Sequence, residues 1–192
     1  MNKIICIVGM TGSGKSVIAD ELVKKNFQFI RFGQITLDIV KEQGLEPTEE
    51  NEKKIREEVR VKHGMGAYAT LNLSKFDKLL EQSNVVADGL YSWSEYKILR
   101  EHYQDRMIVV AVLAAPKIRY ARLAGRTNVD AEMRNRPASQ EQAKSRDFAE
   151  IENIEKGGPI AMADYYIINE NSVEELKKDV EKFYDWVNST LG

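Results

Sequence analysis

The chain has 192 residues, 43% hydrophobic and 30% charged, with a formal net charge of −2 and a single cysteine. That composition excludes a disordered or membrane-embedded chain as the default, and the slight acidity gives no overall attraction to nucleic acid. A chain of this length buries a full core, so any anion the protein holds must be held by a local cluster.

The first apolar run, "IICIV" (4–8), reads as a buried strand and contains Cys6. A lone cysteine there forms no internal disulfide, fits a reducing compartment, and is ordinarily a buried structural thiol. The residues before Gly9 are too few for the apolar centre of a secretion signal. The longest apolar run, Met107 to Ala115, is too short to span a bilayer as a helix. A soluble, cytoplasmic protein with no membrane partner is the expectation.

Next comes "GMTGSGKS", in which Gly9, Gly14, Lys15 and Ser16 complete the G-x-x-x-x-G-K-[ST] pattern. Its glycines let backbone amides turn inward around phosphate oxygens, and the helix that follows adds its positive N-terminal end. Gly9, Met10, Thr11, Gly12, Ser13, Gly14, Lys15 and Ser16 are therefore candidate nucleotide-binding residues. Lys15 is expected to reach the β- and γ-phosphates, and the Ser16 hydroxyl to sit on Mg²⁺. A preceding strand and a following helix separate this loop from a mere glycine-rich turn.

Beyond it, Ile18, Ala19, Leu22 and Val23 share a helix face, and "FQFIRF" (27–32) is a more mixed strand candidate. Residues 34–83 carry no strong strand and read as helical, with a break at "GLEPT" (44–48). The strand "VVA" (85–87) ends at Asp88, at the sheet edge where α/β proteins bind ligands. An acid there holds the hydration shell of Mg²⁺ or accepts a proton from an acceptor; a plain Asp-Gly turn is the alternative.

After "IVVAVLA" (108–114), Arg119, Arg122 and Arg126 in "KIRYARLAGR" are three and four apart, along one helix face. Such a row is either a solvated face or a set of charges that meets an anion on a closing segment. Residues 125–145 are polar, with only Val129 and Met133 as larger apolar groups, and Arg134, Arg136 and Arg146 lie further on. Ser139 with Gln142, and Ser172 with Glu175, have the spacing of capping boxes. "YYIIN" (165–169) is the last strand, and Val173, Leu176, Val180, Phe183 and Val187 make the apolar stripe of a final helix. His63 and His102 have no metal-ligand spacing. The alternation of strands and helices predicts an α/β domain with a parallel sheet of about five strands.

No Asn-Lys-x-Asp base-reading motif occurs, and Gly89 rather than an acid follows Asp88. The layout resembles the nucleoside monophosphate kinase group of P-loop proteins over nearly the whole chain. "VVADGLYS" is similar to the Asp-Gly strand end of adenylate kinases, and "RLAGR" to the start of their lid. "GLEPTEEN", "RDFAEIENIEKG" and "ADYYIINENS" resemble more closely a little-characterised adenylate-kinase-related family, often described as dephospho-CoA-kinase-like. That resemblance implies a P-loop NTPase three-layer sandwich formed by residues 1–192 as one domain. Residues 34–83 would be an acceptor-binding insertion and 125–145 a lid. It also implies ATP and Mg²⁺, phosphoryl transfer to a small nucleotide-like acceptor, and catalytic roles for Lys15, Asp88, Arg122 and Arg126. Ser16 and Asp88 would serve the metal, and the turn at Asn169 would border the donor base.

Two positions depart from those relatives. Tyr91 stands where they carry an arginine after Asp-Gly, and Leu37 where they place one early in the insertion. Arg31, Arg56 or Arg60 are the candidate substitutes, and Tyr91, Trp93 and Tyr96 either stack a planar group or pack ordinarily. Two rival readings follow: a nucleotide-binding regulatory P-loop ATPase, and a polynucleotide-end kinase, against which the acidic balance argues. The sequence leaves the oligomeric state open.

Overall fold

The apolar runs all become strands in the computed structural model, which describes residues 1–126 and 138–189. These are β1 (Ile4–Val8), β2 (Gln28–Arg31), β3 (Val85–Asp88), β4 (Met107–Leu113) and β5 (Tyr165–Ile168). They pair in parallel in the order β2-β3-β1-β4-β5. β1 is central and fully buried, which explains why its sequence is apolar throughout rather than alternating.

Helices cover both faces of the sheet. Ile5 and Ile7, with Val86, Val110 and Ile167, pack against α1 (Lys15–Lys24) and α9 (Val173–Ser189). Ile4, Cys6 and Val8, with Ala87 and Val109, face the other layer. That layer includes α2 (Gln34–Glu42), α3 (Glu49–His63), α4 (Ala67–Leu80) and α5 (Trp93–Tyr103). The expected three-layer α/β architecture is therefore present. Cys6 is a buried free thiol, and burial pushes its pKa up to about 12, so it is chemically quiet.

The predicted break at 44–48 separates α2 from α3, and Thr48 caps α3 by accepting from the Asn51 amide at 3.2 Å. After β4 come α6 (Pro116–Ala124), α7 (Gln140–Ile154) and the short α8 (Gly157–Ala161). Ser139 and Gln142 form the predicted capping box on α7, and Ser92 with Glu95 forms a further one on α5. Of the α9 stripe, Leu176, Val180, Phe183 and Val187 are buried while Val173, in the first helical turn, is half exposed. Val23 at the end of α1 is likewise partly exposed. Of the polar segment 125–145, residues 127–137 lie outside the described residues. Among the described residues no helix is long and apolar enough to cross a membrane.

Strand register sets up the site. Arg31 and Ile7 both align with Asp88, Val8 aligns with Ala111, and Leu113 with Ile168. The carboxyl ends of all five strands thus finish along one edge, where the loop after β1 begins.

Candidate active site

Between β1 and α1 the backbone passes through Gly9 (φ 144), Gly12 (φ 83) and Gly14 (φ 104), a path that side-chain-bearing residues rarely follow. A Cβ on Gly9 would lie 2.4 Å from the Val112 carbonyl oxygen, and one on Gly14 2.4 Å from Asn169 Nδ2. The loop is fastened from outside. The Asn169 amide donates to the Ser13 carbonyl at 2.8 Å, and Arg119 donates to the Thr11 carbonyl at 3.0 Å. Lys15, the first residue of α1, donates back to the carbonyls of Gly9 (3.0 Å) and Met10 (3.3 Å). Ser16 follows in the same helical turn.

Asp88 ends β3 and is 8% exposed, and its Oδ1 is buried with no hydrogen-bond partner among the described residues. The Ser13 hydroxyl is in the same position. Asp88 Oδ1 and the Ser13 hydroxyl are thus two buried polar atoms beside the glycine loop that could serve a phosphate or a cation.

Opposite the loop stands a charged cluster. Lys156, 1% exposed, donates to Glu150, and Arg146 donates to the same carboxylate at 3.1 Å. Burial works against the Glu150 charge, but Lys156 and Arg146 outweigh it and hold its pKa down at about 2. Burial lowers the Lys156 pKa, with Glu150 resisting. The cluster reaches Lys15 electrostatically. Burial, and next the Lys156 charge, bring the Lys15 pKa down to about 8 against the pull of Asp88 and Glu150. The Lys156 ammonium also lies 4.4 Å from the centroid of the Tyr91 ring. A cation therefore lies over the aromatic residue that replaced an expected arginine.

The other residues singled out in the sequence separate into distinct settings. Arg119 and Arg122 do not act as one row: Arg119 is buried, whereas Arg122 donates to the carbonyls of Asn169 (2.9 Å) and Asn171 (3.3 Å) in the loop after β5. Arg126 is the last described residue before position 127, and its amide donates to Leu123. Arg56 is engaged by Glu49 at 2.5 Å and Glu52 at 3.5 Å. Arg60 lies over the Tyr68 ring, with a buried Nε that has no partner among the described residues. Leu37 is half-buried on α2. Trp93 and Tyr96 stack on each other at 4.9 Å, and Gly158 packs against Trp93, so ordinary packing accounts for both.

Sequence reasoning overlooked Glu150 and Lys156. The i, i+4 spacing of Arg146 and Glu150 was a readable signal. Lys156 gave none, since a lysine before two glycines reads as an exposed loop.

Residues 5–155 match the AAA domain family. The chain is 36% identical to a UPF0200 protein of Thermococcus kodakarensis, over 98% of this chain and 100% of that one. It is 34% identical to a UPF0200 protein of Pyrococcus furiosus, over 96% of this chain and 97% of that one. Among solved structures it resembles a sugar kinase from Janibacter sp. (TM-score 0.59, 14% identity, 99% of this chain and 98% of that one). A shikimate kinase from Bacteroides thetaiotaomicron is similar too (TM-score 0.58, 13% identity, 95% of this chain and 98% of that one). At such identities the likeness is one of fold, a P-loop kinase-like fold. The chain belongs to the AAA domain family and to the UPF0200 family.

Proposed function

We propose that this UPF0200 chain is an ATP- and Mg²⁺-dependent phosphotransferase that acts on a small, nucleotide-like acceptor in the cytoplasm. The observation that carries the reading is the convergence of Lys15, Asp88 and the Arg146–Glu150–Lys156 cluster on one edge of the sheet. The kinase-like neighbours support it, as does a buried thiol suited to a reducing compartment.

In this reading the amides of residues 9–16 cradle the donor phosphates, and Lys15 exchanges its loop carbonyls for phosphate oxygens. Ser16 and Asp88 fit a magnesium ion, which is held through one or two protein oxygens plus phosphate. The unpartnered Asp88 Oδ1 is such an oxygen. Mg²⁺, when bound, neutralises charge on the phosphates. Arg146 and Lys156 face Lys15 as fixed positive charges that stabilise the transferring group, and the alignment of the groups does the rest. Arg122, through its bonds to the Asn169 and Asn171 carbonyls, serves the base edge of the donor site. Residues 34–83 receive the acceptor, with the Nε of Arg60, which has no partner among the described residues, available to its charge.

The test is turnover of labelled ATP with nucleoside and deoxynucleoside monophosphates and dephospho-CoA as acceptors. ADP release stimulated by one of them is the expected result. Slow, acceptor-independent release would favour a regulatory ATPase.

A further inference from the structure

We propose that the buried Arg119–Asp147 pair is a latch that couples the phosphate loop to α7, so that a nucleotide on the loop holds Arg146 towards the cleft. Arg119 and Asp147 are positioning residues in this scheme, which rests on the nucleotide-binding reading above.

Arg119 is 4% exposed and spends its donors in three directions. Its Nε donates to the Ala114 carbonyl at 3.1 Å, at the foot of α6. One terminal nitrogen donates to the Thr11 carbonyl at 3.0 Å, inside the phosphate loop. The other donates to Asp147 Oδ2 at 2.6 Å, on α7. A guanidinium is a planar, rigid fork, so its three partners are held at fixed relative positions. The loop and α6 also touch directly, since a Cβ on Gly12 would lie 2.9 Å from the Arg119 carbonyl oxygen. A shift at Thr11 therefore reaches Arg119 with little slack.

The far end of the latch controls a charge. Consecutive residues on a helix point about 100° apart. Asp147 thus occupies the buried seam against α6 while Arg146 turns to Glu150 and the cleft. Rotating α7 by one residue would carry Arg146 into the seam and out of the cleft. Asp147 is gripped through a single oxygen: Oδ2 accepts from both Arg119 and the Tyr120 hydroxyl (3.0 Å), while Oδ1 is buried and has no partner among the described residues. Its hold accordingly depends on where Arg119 is. A buried ion pair adds little stability over apolar packing, so orientation is the better account of what this one contributes.

The experiment is hydrogen exchange across residues 140–154, with and without Mg-ATP, in the native chain and in two variants. One variant is Asp147→Asn. The other, Arg119→Met with Asp147→Leu, replaces the pair by apolar groups of similar size and so keeps the fold. In the native chain ATP should slow exchange in α7 by about 5-fold or more, the usual size of a coupling between sites. Arg119→Met also removes the bond to the Thr11 carbonyl, so exchange is read at ATP concentrations that calorimetry shows to saturate each protein. In both variants the α7 response should then disappear. An undiminished α7 response in the double variant overturns the latch. ATP binding to the native chain with no α7 response also overturns the latch, and leaves the nucleotide reading standing. Failure of the native chain to bind ATP overturns both.

Discussion

The phosphate loop is gripped at its main-chain carbonyls, whereas the cleft facing it is held by side chains paired with side chains. Around residues 9–16, Lys15, Asn169 and Arg119 all donate to backbone carbonyls, and Gly9 and Gly14 leave no room for a Cβ. Across the cleft the contacts are ion pairs: Arg146 and Lys156 on Glu150, and Arg56 on Glu49. A backbone cradle binds any phosphate with the right spacing, and it tolerates change poorly. A cleft of charged side chains can be re-specified by single substitutions while its scaffold stays. That contrast fits a chain whose phosphate-loop pattern is complete, while Leu37 and Tyr91 stand where the resemblance implies arginines.

The comparison breaks most readily at Lys15, where the cradle depends on a side chain. Lys15→Ala should lower nucleotide affinity or turnover by about 10²- to 10³-fold, as loss of a preorganised donor does. Its melting temperature should stay close to that of the native chain, because the glycine path is untouched. ATP titration and a thermal melt check both halves of that expectation. Unchanged affinity and turnover would end the phosphate-loop reading.

Lys156→Met probes the opposite wall. Removing the buried ammonium leaves Glu150 with Arg146 alone, and breaking a buried pair costs about 3 kcal/mol. Urea denaturation measures it. A change near zero would show that Arg146 and solvent suffice for Glu150.

Next in size is a pH effect on the donor side. Lys15 in the free protein titrates at about 8, and a bound phosphate favours its charged form. Below pH 8 the lysine is already charged, so ATP affinity should not change through this group. Above pH 8 each binding event must take up a proton, and affinity should fall about tenfold per pH unit until the pKa of the complex is reached. Calorimetry in buffers of different ionisation enthalpy counts that proton. Flat affinity up to pH 9.5 would place Lys15 outside the phosphate site.

The smallest effect is expected at Arg56, whose partner Glu49 is largely exposed. Arg56→Ala should cost less than about 1 kcal/mol of stability. Acceptor KM should hardly move, since both terminal nitrogens are already engaged within α3. A large rise in KM would instead make Arg56 the acceptor's anchor and sharpen the division between the two walls.

The legibility of the sequence follows the same division. Four of the five strands were readable as short apolar runs, the mixed β2 only as a candidate, and the phosphate loop because its chemistry needs a contiguous pattern. The helix starts at Ser139 and Thr48 depend on local capping. The Arg119–Asp147 pair and the Lys156–Tyr91 contact were not readable. Their partners lie 28 and 65 residues apart, and only the packing of α7 on α6 and of α8 on α5 brings them together. Arg119 and Arg122 show the limit directly: their spacing implied a shared face, but burial gave one to the phosphate loop and the other to the turn after β5.

Cys6 turns this architecture into a gauge. The thiol sits on the central strand, fully covered, as the only cysteine in the chain. No thiol reagent can reach it while the sheet is intact, so alkylation proceeds only through molecules that have opened globally. When opening and closing are fast relative to the chemistry, the rate of labelling reads the population of that open form. Ligands that bind only the folded chain must slow the labelling in proportion to their occupancy. One native side chain thereby ranks nucleotides and acceptors by affinity, with no turnover assay and no engineered label.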